Sequence, residues 1–178
     1  MPVKPRAMSK RMSGTANGKP AEEDCMPGSM TRDEITAFLS GPIVARLATV
    51  QSGGAPYIAP VWQQWDGDRM YIVGRAGSEF VDHIRNESRV AISIADDVNA
   101  EHARILIEGD AEILEGPAPM TGRMLQIAEE MALRYMGPNG PTYIGRTVDR
   151  PRCLIAVTPD SIVSWAGGEW HPRYSRGD

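Results

Sequence analysis

Apolar residues recur along this chain in two rhythms, and the switch between them outlines the fold. Runs rich in β-branched and aromatic residues, short and bounded by turn residues, predict strands over residues 43–51, 55–65, 70–73, 90–95, 103–114, 153–157 and 162–165. Residues 43–51 are apolar on both faces, which predicts a central, buried strand. Helical spacing appears three times. Ile35, Phe38 and Leu39 share one face behind Thr31 and Glu34, which have capping-box spacing. A second helix is predicted over residues 79–86. A third covers residues 120–136, where Met120, Met124, Ala128, Met131 and Tyr135 form a stripe widened by Leu125, Ala132 and Met136. Methionines at that spacing read as core packing.

The punctuation between these runs is equally informative. Asp66-Gly67-Asp68 between two apolar runs predicts a hairpin, Gly41-Pro42 ends the first helix, and Ser52-Gly53-Gly54 turns the chain into the strand containing Pro60. Gly109 marks a bulge that curls the sheet. Pro117 and Pro119 are expected to end their strand, residues 137–150 read as loop, and Pro159-Asp160 predicts a final hairpin. Residues 1–29 have no apolar period and are expected to be a disordered extension, followed by one β-rich domain over residues 30–166 and a tail over 167–178.

Composition narrows the class. The chain has 178 residues, enough for one sizeable core, with 19 basic and 23 acidic residues and a net charge of −4. That balance supplies no electrostatic drive toward nucleic acid or an anionic membrane, and no apolar run is long enough to span a bilayer. The basic start lacks the apolar segment of a secretory signal. Cys25 and Cys153 make neither a disulfide framework nor a metal cluster, so a reducing cytoplasm is the expected location.

The chemistry concentrates between residues 55 and 89. Pro60 cannot donate to a ladder, which places its strand at an edge or bulge with neighbouring backbone groups open to a ligand. Arg75 and Ser78 follow a strand and precede a helix, where free N–H groups and the helix dipole favour an anion, phosphate above all. A flat ring on the edge strand with its phosphate at the helix start is a flavin mononucleotide-like arrangement. Arg46 reads equally as a paired ion at a barrel mouth or as a ligand contact. His83, inside a helix, reads as a hydrogen-bonded structural residue, and His102 lies in a polar loop. His171 keeps company with Trp170 and Arg173 behind Gly167-Gly168, a hinged aromatic and cationic segment that reads as a lid. No nucleophile elbow, phosphate-binding Walker loop or zinc spacing is present.

A run of shorter matches carries a family resemblance: Ala45-Arg46-Leu47-Ala48-Thr49-Val50, Gly54-Ala55-Pro56-Tyr57, Pro60-Val61-Trp62, Trp65-Asp66-Gly67, Ile84-Arg85-Asn86 and Arg89-Val90-Ala91. In order and spacing, over about residues 31–165, the chain resembles the flavin-binding split β-barrels of the pyridoxamine phosphate oxidase-like superfamily. The resemblance implies a mainly β fold with flanking helices, a homodimeric split barrel, and an oxidoreductase that moves hydride between FMN and a small-molecule substrate. It implies that Pro60, Val61 and Trp62 lie beside the flavin ring, and that Arg75 and Ser78 contact the phosphate. Phe80 departs from the pattern, since many relatives carry a lysine or arginine there; Arg75, Arg85 or a partner-subunit arginine would compensate. The C-terminal segment of one subunit can cover the other's cofactor, which gives Trp170 and Arg173 cofactor contacts and makes His171 the candidate catalytic residue. Trp62, Trp65 and Trp165 are candidate dimer anchors. Two other classes share this fold: reductases using the deazaflavin coenzyme F-420, whose anionic tail calls for a basic groove, and non-catalytic flavin or haem proteins, for which His83 or His171 would ligate iron.

Overall fold

The computed structural model describes residues 28–99 and 102–167. Helix α1 (Arg32–Leu39) opens on the expected capping box: the Glu34 N–H donates to Thr31 Oγ1 at 3.3 Å, and the Thr31 N–H donates to Glu34 Oε2 at 2.7 Å. That backbone bond, with the Thr31 hydroxyl behind it, holds the Glu34 carboxyl below its usual range. The strands β1 (Ala45–Val50), β2 (Pro56–Val61), β3 (Gln64–Trp65), β4 (Met70–Arg75), β5 (Arg89–Ala95), β6 (Arg104–Ala118) and β7 (Arg152–Trp165) form one antiparallel sheet in the order β2-β1-β5-β6-β7-β4-β3. Helix α2 (Glu79–Asn86) joins β4 to β5 and agrees with its predicted span. Helices α3 (Gly122–Met136) and α4 (Gly140–Gly145) lie between β6 and β7 in sequence.

The predicted strand over residues 55–65 is divided. Its first part, β2, pairs with β1 in a register that sets Pro60 against Arg46, and it forms one edge of the sheet, as the proline requires. Its second part, β3, is the opposite edge and makes the expected hairpin with β4 through Gln64↔Tyr71 and Trp65↔Met70. Only Trp62 and Gln63 separate the two edges, a span that brings the ends of the sheet together and curls it into a barrel. Gln63 is fully buried at this crossing. Its Nε2 donates to the Leu39 carbonyl at 2.7 Å, its carbonyl accepts from Arg134 at 3.0 Å, and its N–H donates to the Tyr135 hydroxyl at 3.4 Å. Tyr135 in turn donates to the Ile43 carbonyl at 2.9 Å. A residue held by α1 and α3 cannot continue a ladder, which is why the strand breaks here.

Three other expectations are corrected. The final hairpin does not form: β7 runs straight through Pro159-Asp160 as a single strand along β6. The register shifts at Gly109, where a Cβ would stand 2.2 Å from the Thr158 carbonyl oxygen, so the proline is accommodated by the bulge and not by a reversal. Likewise β6 passes Pro117 and ends at Ala118; the proline falls in a register gap between Glu115 and Ala118, where no ladder bond is lost. Residues 137–150, expected as loop, contain a 3-10 turn and α4. Gly140 lets that helix approach, since a Cβ there would stand 2.5 Å from the Ala132 carbonyl.

Two apolar cores share a wall. Inside the barrel pack Leu47, Ile72, Ile92, Ile105, Ile107, Cys153 and Ile155. Outside it, α3 lays Met124, Ile127, Ala128 and Met131 against Tyr71, Leu154 and Ala156. The first half of β7 is buried on both faces as a result, and the methionine stripe is core as predicted, although Met136 at its end is exposed. The residues just before α1 are tied to the end of β7: the Gly28 carbonyl accepts from the Ala166 N–H at 2.7 Å, and the Met30 N–H donates to Ser164 Oγ at 3.0 Å. The tryptophans are used internally. Trp165 is buried with Gly28 against its ring, Trp65 packs on the barrel core, and Trp62 packs on the α3 layer. Among the described residues, the large apolar side chains left exposed on strands are Ile58, Leu106 and Val163. Gly109→Ala is expected to lower unfolding stability by about 1–3 kcal/mol, the scale of overpacking, because backbone and not a flexible side chain opposes the new methyl; urea denaturation measures it.

Candidate functional site

A cavity of about 440 Å³ lies where the barrel edge meets the helical layer. Its size is within the range of small-molecule and cofactor sites. It gathers residues that the chain keeps far apart: Pro60, Val61 and Trp62 from the crossing, Gly74 and Arg75 from the end of β4, Ser78 and Phe80 from the start of α2, Met120 and Met131 from the helical layer, Tyr143 and Thr147 from α4 and beyond, and Arg152 from the start of β7. All six of the described residues expected to contact a cofactor line this one space.

Local structure explains each placement. Trp62 stacks on Tyr135 with ring centroids 5.1 Å apart and planes 2° from parallel, and meets Tyr143 edge-on at 5.8 Å, so it is a fixed aromatic wall. Ser78 is the N-cap residue of α2, yet its hydroxyl makes no capping bond and remains available to a ligand. Arg75 ends β4 with its side chain exposed at the cavity. Phe80 is buried in the barrel core and forms part of the cavity's floor, against the space left by Gly74, where a Cβ would stand 2.9 Å from the ring.

Arg152 was not singled out by the sequence, and its environment is unusual. It is only 7% exposed. It sits directly across the β4–β7 ladder from Arg75, in register. Among the described residues neither guanidinium makes an ion pair or a side-chain hydrogen bond, and no carboxylate lines the cavity. Burial lowers the Arg152 pKa first; Tyr143 opposes this, and the charges of Arg75 and Arg150 lower it further. Arginine remains a cation at neutral pH, so two like charges face one space without a counter-charge. A signal existed in the sequence: Arg150-Pro151-Arg152 at the head of a strand. It was obscured because the strand's register with β4 cannot be read from one sequence.

Among the described residues, four other arginines are locally neutralised, Arg69 by Glu112 among them. Arg46 pairs with Asp97 at 2.8 Å, Arg85 with Asp82, and Arg89 with Glu87 at 2.6 Å. Arg46 therefore fits the paired-ion reading, and Arg85 does not reach the cavity to replace the cation absent at position 80. His83 is structural: Nδ1 bonds Thr49 Oγ1 at 2.9 Å, and its ring meets Tyr57 edge-on. Neither His83 nor His102 lines the cavity. Trp170, His171 and Arg173 lie outside the described residues.

Comparison with known proteins fits this architecture. A family model described as pyridoxamine 5'-phosphate oxidase matches residues 31–166. The chain belongs to this family. No curated protein matches it in sequence. Similar folds include the conserved hypothetical protein Rv2991 from Mycobacterium tuberculosis, with a TM-score of 0.65, 21% identity and coverage of 84% of this chain and 90% of that one. An F420 reductase aligns with a TM-score of 0.53 at 23% identity over 71% of this chain and 93% of its own. HutZ, the haem storage protein from Vibrio cholerae, aligns with a TM-score of 0.60 at 17% identity, covering 76% and 95%. At these identities the likeness is one of fold, and the fold is that of the pyridoxamine phosphate oxidase-like split barrel.

Within that fold, the missing cation at position 80 is a packing choice. Phe80 fills core volume beside Gly74 and Val81, so truncating it leaves a hole that backbone cannot close. Phe80→Ala is expected to cost about 3–5 kcal/mol of unfolding stability, and Phe80→Lys is expected to destabilise as well, contrary to a role for position 80 in holding an anion; thermal and denaturant unfolding of both variants checks this.

Proposed function

We propose that the protein is an FMN-dependent oxidoreductase acting on a small organic substrate. The observation that carries this reading is the convergence of an edge strand, Pro60–Trp62, and an anion-seeking end, Arg75 and Ser78, on one cavity of cofactor size. The family match supports it. The residues suit the cofactor's two ends. Val61 and Trp62 offer an apolar and aromatic wall to a flat ring, and the Pro60 strand, being an edge, leaves backbone groups for the ring's polar rim. Arg75 and Ser78 offer a guanidinium and a hydroxyl to a phosphate at the start of α2. When bound, the flavin supplies hydride transfer at N5, and the chain's contribution is position, exclusion of water and charge. In this reading residues 167–178 close over the ring, with Trp170 stacking, Arg173 meeting an anionic group and His171 moving a proton on the substrate.

The protein is proposed to act in the cytoplasm as a homodimer. The exposed Ile58, Leu106 and Val163 support a self-association face: Leu106 and Val163 are cross-strand neighbours on β6 and β7, and Ile58 lies on β2 of the same sheet.

The visible spectrum of freshly purified protein is expected to show oxidised flavin; a deazaflavin band or a Soret band in its place refutes the FMN assignment and selects the alternative. Arg75→Ala is expected to weaken FMN binding by about 1.5–3 kcal/mol, the range of a charge-assisted hydrogen bond, in a titration of apo-protein, and unchanged affinity removes Arg75 from the site. Light scattering is expected to report twice the chain mass for the wild type and a smaller species for Leu106→Glu combined with Val163→Glu, because charges introduced at a buried contact oppose association.

A further inference from the structure

The cavity's anion site rests on more than Arg75 and Ser78, and its charge has a consequence for which ligand it accepts. Arg75 and Arg152 are partners in register across β4 and β7, both line the cavity, and Arg152 is 7% exposed. Neither is neutralised by a carboxylate among the described residues, whereas Arg46, Arg85 and Arg89 each are. A guanidinium buried without a partner is costly, and a second one beside it adds repulsion. The fold holds Arg152 there firmly. Gly116 on β6 brings its backbone so close that a Cβ would stand 2.2 Å from the Arg152 carbonyl oxygen, and the β4 ladder fixes the other side.

Two uncompensated cations are matched by a ligand carrying two negative charges. A terminal phosphate monoester carries about −1.5 to −2 at neutral pH; a phosphodiester, with its one ionisable oxygen, carries a single charge. We infer that Arg152 and Arg75 together form a clamp that selects a terminal phosphate monoester over a phosphodiester, with Arg152 supplying from the last strand the cation that position 80 does not. The inference rests on the phosphate-binding reading of this cavity and deepens it. It also separates ligands compatible with the fold: FMN ends in a monoester, whereas a ligand that continues beyond a single phosphate presents a diester.

The test uses probes without a ring, so that it stands apart from the flavin assignment. The full chain is titrated calorimetrically with glycerol 3-phosphate, a monoester, and with dimethyl phosphate, a diester. The monoester is expected to bind at least about tenfold more tightly, the scale of one additional charge-assisted contact. Arg152→Gln is expected to abolish that preference and Arg152→Lys to retain part of it, with unfolding curves confirming that the variants fold. Equal affinity for the two probes, no binding of the monoester at millimolar concentration, or an Arg152→Gln protein that keeps the preference each overturns the clamp. Should Arg152→Gln fail to fold, the wild-type probe comparison and the Arg152→Lys protein decide. A protein that prefers the monoester probe but binds no FMN keeps the clamp and loses the flavin reading.

Discussion

The buried Gln63 is the point on which the rest of the structure turns. Its amide and backbone hold the end of α1, the last turns of α3 and the passage from one sheet edge to the other in a single knot of hydrogen bonds. The side-chain bond to the Leu39 carbonyl is away from water, so it replaces a solvation that is no longer available, and losing it leaves an unpaired polar group inside the protein; the bonds to Arg134 and Tyr135 are partly buried. Because β2 ends and β3 begins at this point, the same knot determines where the barrel closes. It also places Trp62, one residue earlier, at the cavity wall, and orients Tyr135, on which Trp62 stacks. Closure of the barrel and shape of the pocket are therefore one construction.

The pocket's electrostatics follow from the opposite kind of choice. Arg46, Arg69, Arg85 and Arg89 are each answered by a nearby carboxylate in exposed or half-exposed pairs, which contribute little. At the junction of β4 and β7 the chain instead leaves positive charge unanswered beside apolar walls. That arrangement works against folding and in favour of a ligand, the usual signature of a binding site as distinct from a structural ion network.

Much of this was legible in the sequence. Apolar runs bounded by turn residues located the strands, apart from the break at Trp62-Gln63 and the hairpin wrongly expected within β7; the capping spacing of Thr31 and Glu34 located α1, and Pro60 correctly marked an edge. The position of Arg75 and Ser78 at the cavity was legible because a strand end followed by a helix start is a local pattern, and local patterns survive in a single sequence. What was missed depends on pairing between distant segments. Pro159-Asp160 has the composition of a turn, and only the bulge opposite Gly109, fifty residues earlier in sequence, turns it into mid-strand. Arg152 resembles any strand-leading arginine until its register with Arg75 is known. Phe80 read as a missing ligand because its partner in packing, the bare backbone of Gly74, leaves no trace in the periodicity.

The helical layer has a further significance. α3 and α4 form one excursion of the chain, leaving the sheet after β6 and rejoining it at β7, and they supply the cavity's far wall with Met120, Met131, Tyr143 and Thr147. The barrel's strand pairings do not pass through that excursion. A lineage can therefore rewrite the cavity-facing residues of this excursion, apart from Arg134 and Tyr135 that hold Gln63, and so reshape the cavity while the ladder, the closure and the Arg75–Arg152 end stay as they are. One fold is in this way free to acquire new specificities by editing a single wall of its cavity.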